Sequence, residues 1–201
     1  MPAGPARRGD TERDIRPPRL YDRWRMTARN PQLPPVAIVV SRYNESITLA
    51  LLDGARSAYI EAGGSADRLG VIEAPGAFEL PVLAGAAARC GLYRGVVALG
   101  CIIKGQTRHD EFIASAIAHT LADVAVSTGV PVTFGVLTTD TIDQAQARAG
   151  GDKGNKGAEA MAALLETLDA LRAISEATDT RTPGIACRIK SRPRDKTRED
   201  S

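Results

Sequence analysis

Between residue 34 and about residue 180, short aliphatic runs alternate with longer amphipathic stretches, while both ends are polar and interrupted by proline. Val36–Val40 is wholly apolar and rich in β-branched residues, which predicts a buried strand. Asn44 can cap the helix after it, expected over Glu45–Ala62 and closed by Gly63 and Gly64. Leu69–Glu73 predicts a second strand, and residues 78–90 a helix closed by Gly91. Gly95–Ile103 predicts a third strand, and its unbroken apolar character points to burial on both faces. Residues 108–128 read as a long helix stopped by Gly129, followed by a fourth strand over Val132–Leu137. Thr141–Ala149 predicts a short helix and Lys156–Ala173 a longer one. Four short strands, each followed by a helix, predict an α/β fold: a three-layer αβα sandwich on a four-stranded parallel sheet. Ligands of such sheets lie beyond the carboxyl ends of the strands, which singles out the loops at 41–45, 74–79, 104–109 and 138–141.

Composition narrows the function without naming it. The 201 residues suit one domain, expected over 34–176, with a basic N-terminal arm over 1–33 and a basic tail over 177–201. Both ends read as disordered or extended, the alternative being contact with a polyanion. A net charge of +2 gives no ground for a nucleic-acid partner. Cys90, Cys101 and Cys187 are too widely spaced for a zinc site or a disulfide framework, so no metal is expected. The basic, proline-rich start lacks a signal-peptide core, and no apolar run nears the ~20 residues of a membrane span, so a cytoplasmic protein without a membrane partner is expected.

The third loop carries the most chemistry. Lys104-Gly105-Gln106-Thr107-Arg108-His109 leads from a strand into a helix, with Thr107 able to cap it. Free amide N–H groups at a helix start, and the helix dipole, favour phosphate. His109 would sit at the mouth of that anion site, although an ordinary surface histidine fits the local pattern equally well. In the second loop, Phe78 can offer a flat face to a planar ring and Glu79 a polar contact, or both can simply begin a helix. Tyr43 and Asn44 in the first loop admit the same two readings. Arg148 precedes a glycine-rich cationic junction and is suited to bidentate phosphate binding. There is no Walker A string, no G-x-G-x-x-G after a strand, no H-E-x-x-H and no nucleophile elbow.

Taken together, five strings resemble the lumazine synthase family: S-R-Y-N-E at 41–45, P-G-A-F-E-L-P at 75–81, A-L-G-C-I-I-K-G-Q-T-R-H at 98–109, P-V-T-F-G-V-L-T-T-D at 131–140 and R-A-G-G-D-K-G-N-K-G-A-E-A at 148–160. The resemblance covers roughly residues 34–174 and implies a flavodoxin-like arrangement of the sheet. It also implies a condensation of 5-amino-6-ribitylamino-uracil with 3,4-dihydroxy-2-butanone 4-phosphate, without a cofactor. On it, His109 is the acid–base residue, Gln106 and Thr107 the phosphate loop, and Arg148 the guanidinium on the same phosphate. Tyr43 takes the stacking position; Asn44, Ala77, Phe78 and Glu79 hold the ribityl-uracil, and Cys101, Ile102 and Ile103 wall its pocket. Phe134 would enter from a neighbouring subunit. The implied partners are the small-molecule substrates and further copies of the chain, as a pentamer or a sixty-subunit icosahedral shell, with riboflavin synthase as a candidate associate. Three positions depart from the family pattern: Asp110 where an aromatic is usual, Lys104 for Arg, and Tyr43 for Phe or Trp. A non-catalytic flavin-retaining scaffold and a flavodoxin-like nucleotide-binding module remain as rival readings.

Overall fold

The computed structural model describes residues 33–179. The sheet is parallel, with strands β1 (Val36–Ser41), β2 (Leu69–Ala74), β3 (Gly95–Ile103) and β4 (Val132–Thr139) in the order β2-β1-β3-β4. The helices are α1 (Glu45–Glu61), α2 (Leu80–Arg89), α3 (His109–Thr128), α4 (Ile142–Arg148) and α5 (Lys156–Asp179). Most of the expected arms at 1–33 and 177–201 lies outside the described residues.

The period-two alternation of the strands sorts their side chains onto two cores. Val36, Ile38, Val40, Val97, Leu99, Cys101 and Leu137 face α1 and α5, where Leu51, Tyr59, Met161 and Leu164 meet them. Ala37, Val39, Val96, Ala98, Ile102 and Val136 face α2 and α3, meeting Leu80, Ala84, Ile117 and Leu121. This is the expected three-layer αβα arrangement. β1 and β3 are covered on both faces, as continuous apolar runs require. Tyr59 pins the segment entering β1: its ring is fully buried and its hydroxyl donates to the Pro34 carbonyl at 2.9 Å.

Several local expectations are corrected. α2 begins at Leu80 rather than residue 78, because Ala77–Glu79 forms a separate 3-10 turn. β4 runs two residues further, to Thr139, carried by pairing through Ile103↔Thr139. α5 continues to Asp179 instead of ending at Ala173. The junction after Arg148 is a small antiparallel hairpin, β5 (Ala149–Gly151) with β6 (Gly154–Asn155), in which Gly150 and Gly154 take positive φ. Asn155 locks that hairpin to α1. Its Oδ1 accepts from the Gly157 and Ala158 amides at 2.9 and 3.1 Å, and its Nδ2 donates to the Ala50 carbonyl at 2.8 Å. Gly54 leaves the space in which the Asn155 carboxamide lies.

Candidate active site

After β1 the chain turns back to β2, whereas β3 lies on the other side of β1, so the strand order reverses between β1 and β3. Loops diverge there and leave a crevice at the carboxyl ends. A cleft of about 390 Å³ occupies that place.

Three strand ends and one helix start build it. From β1 come Tyr43 and Asn44, and from the turn after β2 come Gly76, Ala77, Phe78 and Glu79. The floor is Cys101, Ile102 and Ile103 at the end of β3. Gly105 and Thr107 from the following loop, and His109, Asp110 and Ile113 from α3, complete the wall. Tyr43 and Phe78 are 70% and 62% exposed, so both rings are free to receive a planar ligand.

Two capping expectations fail here, each informatively. Asn44 stands at the N-cap of α1 but makes no side-chain cap. It adopts a left-handed backbone (φ 59°), which asparagine tolerates better than most residues. Its Nδ2 instead donates to the Cys101 carbonyl at 3.0 Å, tying the β1 loop to β3 across the point of reversal. Thr107 does not cap α3 either: Arg108 holds the cap position, with φ −81° and ψ 16°, and no side chain caps the helix. The first amides of α3 are thus left without a capping side chain, the state in which a helix start accepts an anion. A side chain at Gly105 would meet nothing within 4 Å, so the loop backbone is open to a close approach.

The surrounding charges are paired at the surface. Arg108 sends both Nε and Nη2 to Glu111 Oε2, at 3.0 and 2.9 Å. Lys104 Nζ lies 3.6 Å from Asp140 Oδ1. Cys101 is nearly fully buried, and burial pushes its thiol up to about 11, which keeps it protonated and unreactive. No group of three His, Cys, Asp or Glu side chains that could hold a metal occurs among the described residues.

Three expected site residues do not line the cleft. Gln106 is exposed on the loop, outside the lining. Phe134 pairs with Ala98, whereas the cleft floor pairs with Leu137–Thr139. It therefore sits three residues lower on β4, about 10 Å at the rise of a strand. It is nevertheless 45% exposed, on the face that carries α3. Arg148 ends α4 with Nη1 donating to the Gln144 carbonyl at 3.0 Å. Conversely, Gly76, Asp110 and Ile113 line the cleft without having been counted in it. For Ile113 the signal was present: positions i and i+4 from His109 share a helix face.

The family model for 6,7-dimethyl-8-ribityllumazine synthase matches residues 34–172. A 6,7-dimethyl-8-ribityllumazine synthase of Deinococcus deserti is 45% identical over 140 residues, which cover 70% of this chain and 90% of that protein.

Proposed function

The chain belongs to the 6,7-dimethyl-8-ribityllumazine synthase family, and from that premise we propose which of its residues carry the reaction. It is a transferase of riboflavin biosynthesis. It condenses 5-amino-6-ribitylamino-uracil with 3,4-dihydroxy-2-butanone 4-phosphate, giving 6,7-dimethyl-8-ribityllumazine, phosphate and water. Family membership brings small-molecule substrates and a homo-oligomer with it.

In our reading the uracil ring lies between Tyr43 and Phe78, with Asn44, Ala77 and Glu79 on its polar edges and ribityl chain. Cys101, Ile102 and Ile103 form the apolar floor under it. The phosphate of the four-carbon substrate meets the open amides around Gln106 and Thr107. His109, in the first turn of α3, then stands between the two substrates. An imidazole exchanges protons near neutrality, so it can relay them during imine formation and again as phosphate departs. The observation that carries this reading is the meeting of His109, Thr107, Phe78 and Tyr43 in one cleft.

Arg148 and Phe134 lie outside that cleft, so we assign both to the site of an adjacent subunit. An apolar groove of about 550 Å³ along α2 and α3, lined in part by Phe78, Pro81, Val82 and Ile117, supports such an interface. A pentamer with sites between subunits fits this arrangement. A sixty-subunit shell, with riboflavin synthase as its associate, is the larger assembly the same contacts permit. A cytoplasmic location belongs to the same proposal; among the described residues no helix is long and apolar enough to cross a membrane.

Steady-state formation of the fluorescent lumazine from the two purified substrates tests the proposal. Turnover with one phosphate released per lumazine is expected. Ligand retention without turnover would favour a flavin-holding scaffold instead.

A further inference from the structure

Gly76 has no part in the assignments above. It lies in the turn after β2, at the N-cap of the 3-10 turn Ala77–Glu79. Its backbone is extended (φ −147°, ψ 179°), a conformation open to every L residue, so the torsions do not call for glycine. The demand is spatial. A Cβ built on Gly76 would lie 2.9 Å from Glu79 Oε2, closer than a carbon and an oxygen rest without bonding. Apart from the chain neighbours of Gly76, no other heavy atom comes within 4 Å of that point.

Glu79 borders two spaces: the cleft, and the apolar groove along α2 and α3. Gly76 lines the cleft and not the groove, so a carboxylate resting on Gly76 is on the cleft side. The reach of Glu79 back to Gly76 is that of a capping box, in which the glutamate accepts from the N-cap amide. That bond is not made here: among the described residues no hydrogen bond or ion pair engages the Glu79 carboxylate. Its place depends on the space over Gly76, and both of its oxygens keep their capacity to accept.

We propose that Gly76 is a positioning residue: lacking a side chain, it lets the Glu79 carboxylate fold back over the turn and face the cleft, where it accepts from hydroxyls of the ribityl chain. A methyl at Gly76 meets only the far end of one flexible side chain. It turns the carboxylate away, toward the groove, and leaves the fold as it was. This rests on the lumazine synthase reading, in which Glu79 holds the ribityl-uracil.

The test is a cycle of Gly76→Ala, Glu79→Ala and the double variant, each titrated with one substrate in the lumazine assay while the other saturates. Glu79→Ala is expected to raise the apparent KM of the uracil substrate by about 10–100-fold, the loss of one charge-assisted hydrogen bond. Gly76→Ala should raise the same KM by about 5–50-fold, since a displaced carboxylate loses most of that bond. Its kcat and its KM for the four-carbon phosphate should stay within about threefold of the parent, and its Tm within about 2 °C. The double variant should match Glu79→Ala within about twofold, because the methyl acts only through the carboxylate. An unchanged uracil KM in Gly76→Ala overturns the proposal. So does a full further rise in the double variant, as the methyl would then meet the substrate itself. A Tm fall above about 5 °C in Gly76→Ala also overturns it, since the glycine would then serve the turn. If the parent turns over and Glu79→Ala keeps the parental KM, the proposal fails and the lumazine synthase reading stands. Absence of turnover in the parent would sink that reading, and this proposal with it.

Discussion

Replacing Asn155 by alanine should loosen the hairpin that follows Arg148 and thereby weaken phosphate binding. Asn155 precedes α5, and its Oδ1 accepts from the Gly157 and Ala158 amides in the first turn. Loss of such an N-cap costs about 1 kcal/mol, up to ~2. Its Nδ2 bond to the Ala50 carbonyl, at 2.8 Å, is worth about another 1 kcal/mol. The sum, about 2–3 kcal/mol, corresponds to a fall of roughly 5–10 °C in Tm for a domain of this size. Calorimetry at fixed protomer concentration measures it, since assembly makes Tm depend on concentration. Gly54 supplies an internal check. A methyl at Gly54 would overlap the Asn155 carboxamide, so Gly54→Ala alone should destabilise in the same way. In the double variant the methyl fills vacated space and adds helix propensity of up to about 1 kcal/mol, so it should be more stable than Asn155→Ala alone. Apparent KM for the four-carbon phosphate should rise about 10-fold in Asn155→Ala, the order expected for weakening one phosphate contact by about 1.4 kcal/mol. A Tm change below about 2 °C, or additive losses in the double variant, would refute the lock between the hairpin and α1.

Other expectations are independent of that lock. Arg148→Ala should raise KM for the phosphate substrate with a smaller effect on the uracil substrate. Co-assembly of Arg148→Ala with His109→Ala subunits should recover activity that neither possesses alone, and failure to recover it would place both residues in one subunit's site. Burial raises the Cys101 thiol from 9.0 to about 11, so its contribution to stability is full below pH 9 and is lost as pH rises toward 11. Denaturant melts should show a fall of about 2–3 kcal/mol across that window that flattens in Cys101→Ala. Maleimide should label exposed Cys90 while sparing Cys101 in the folded protein, as peptide mass mapping would report.

The sheet was legible because its central strands are short unbroken apolar runs and glycines mark the element ends: Gly95–Ile103 emerges with the expected bounds. What the sequence concealed is non-local. Asn44 looks like a cap by position, yet its amide is spent on Cys101, 57 residues away. Asn155 likewise finds its partner 105 residues back, and hairpin strands of three and two residues are too short to show a period. Phe134 entered the site by family resemblance, and Arg148 by resemblance and its suitability for phosphate; both lie outside the cleft of one chain, so the role proposed for each calls on a second copy. Asp110 was noticed as a departure, but only the tertiary structure shows its oxygen without a partner.

The sharpest test of the whole account is the single-turnover rate of lumazine formation in His109→Ala, with both substrates saturating and assembly confirmed by sedimentation. Removal of a proton-transfer group predicts a rate about 10–1000-fold below the parent, with substrate affinities largely retained. A variant that forms lumazine at the parental rate would contradict the account at its centre.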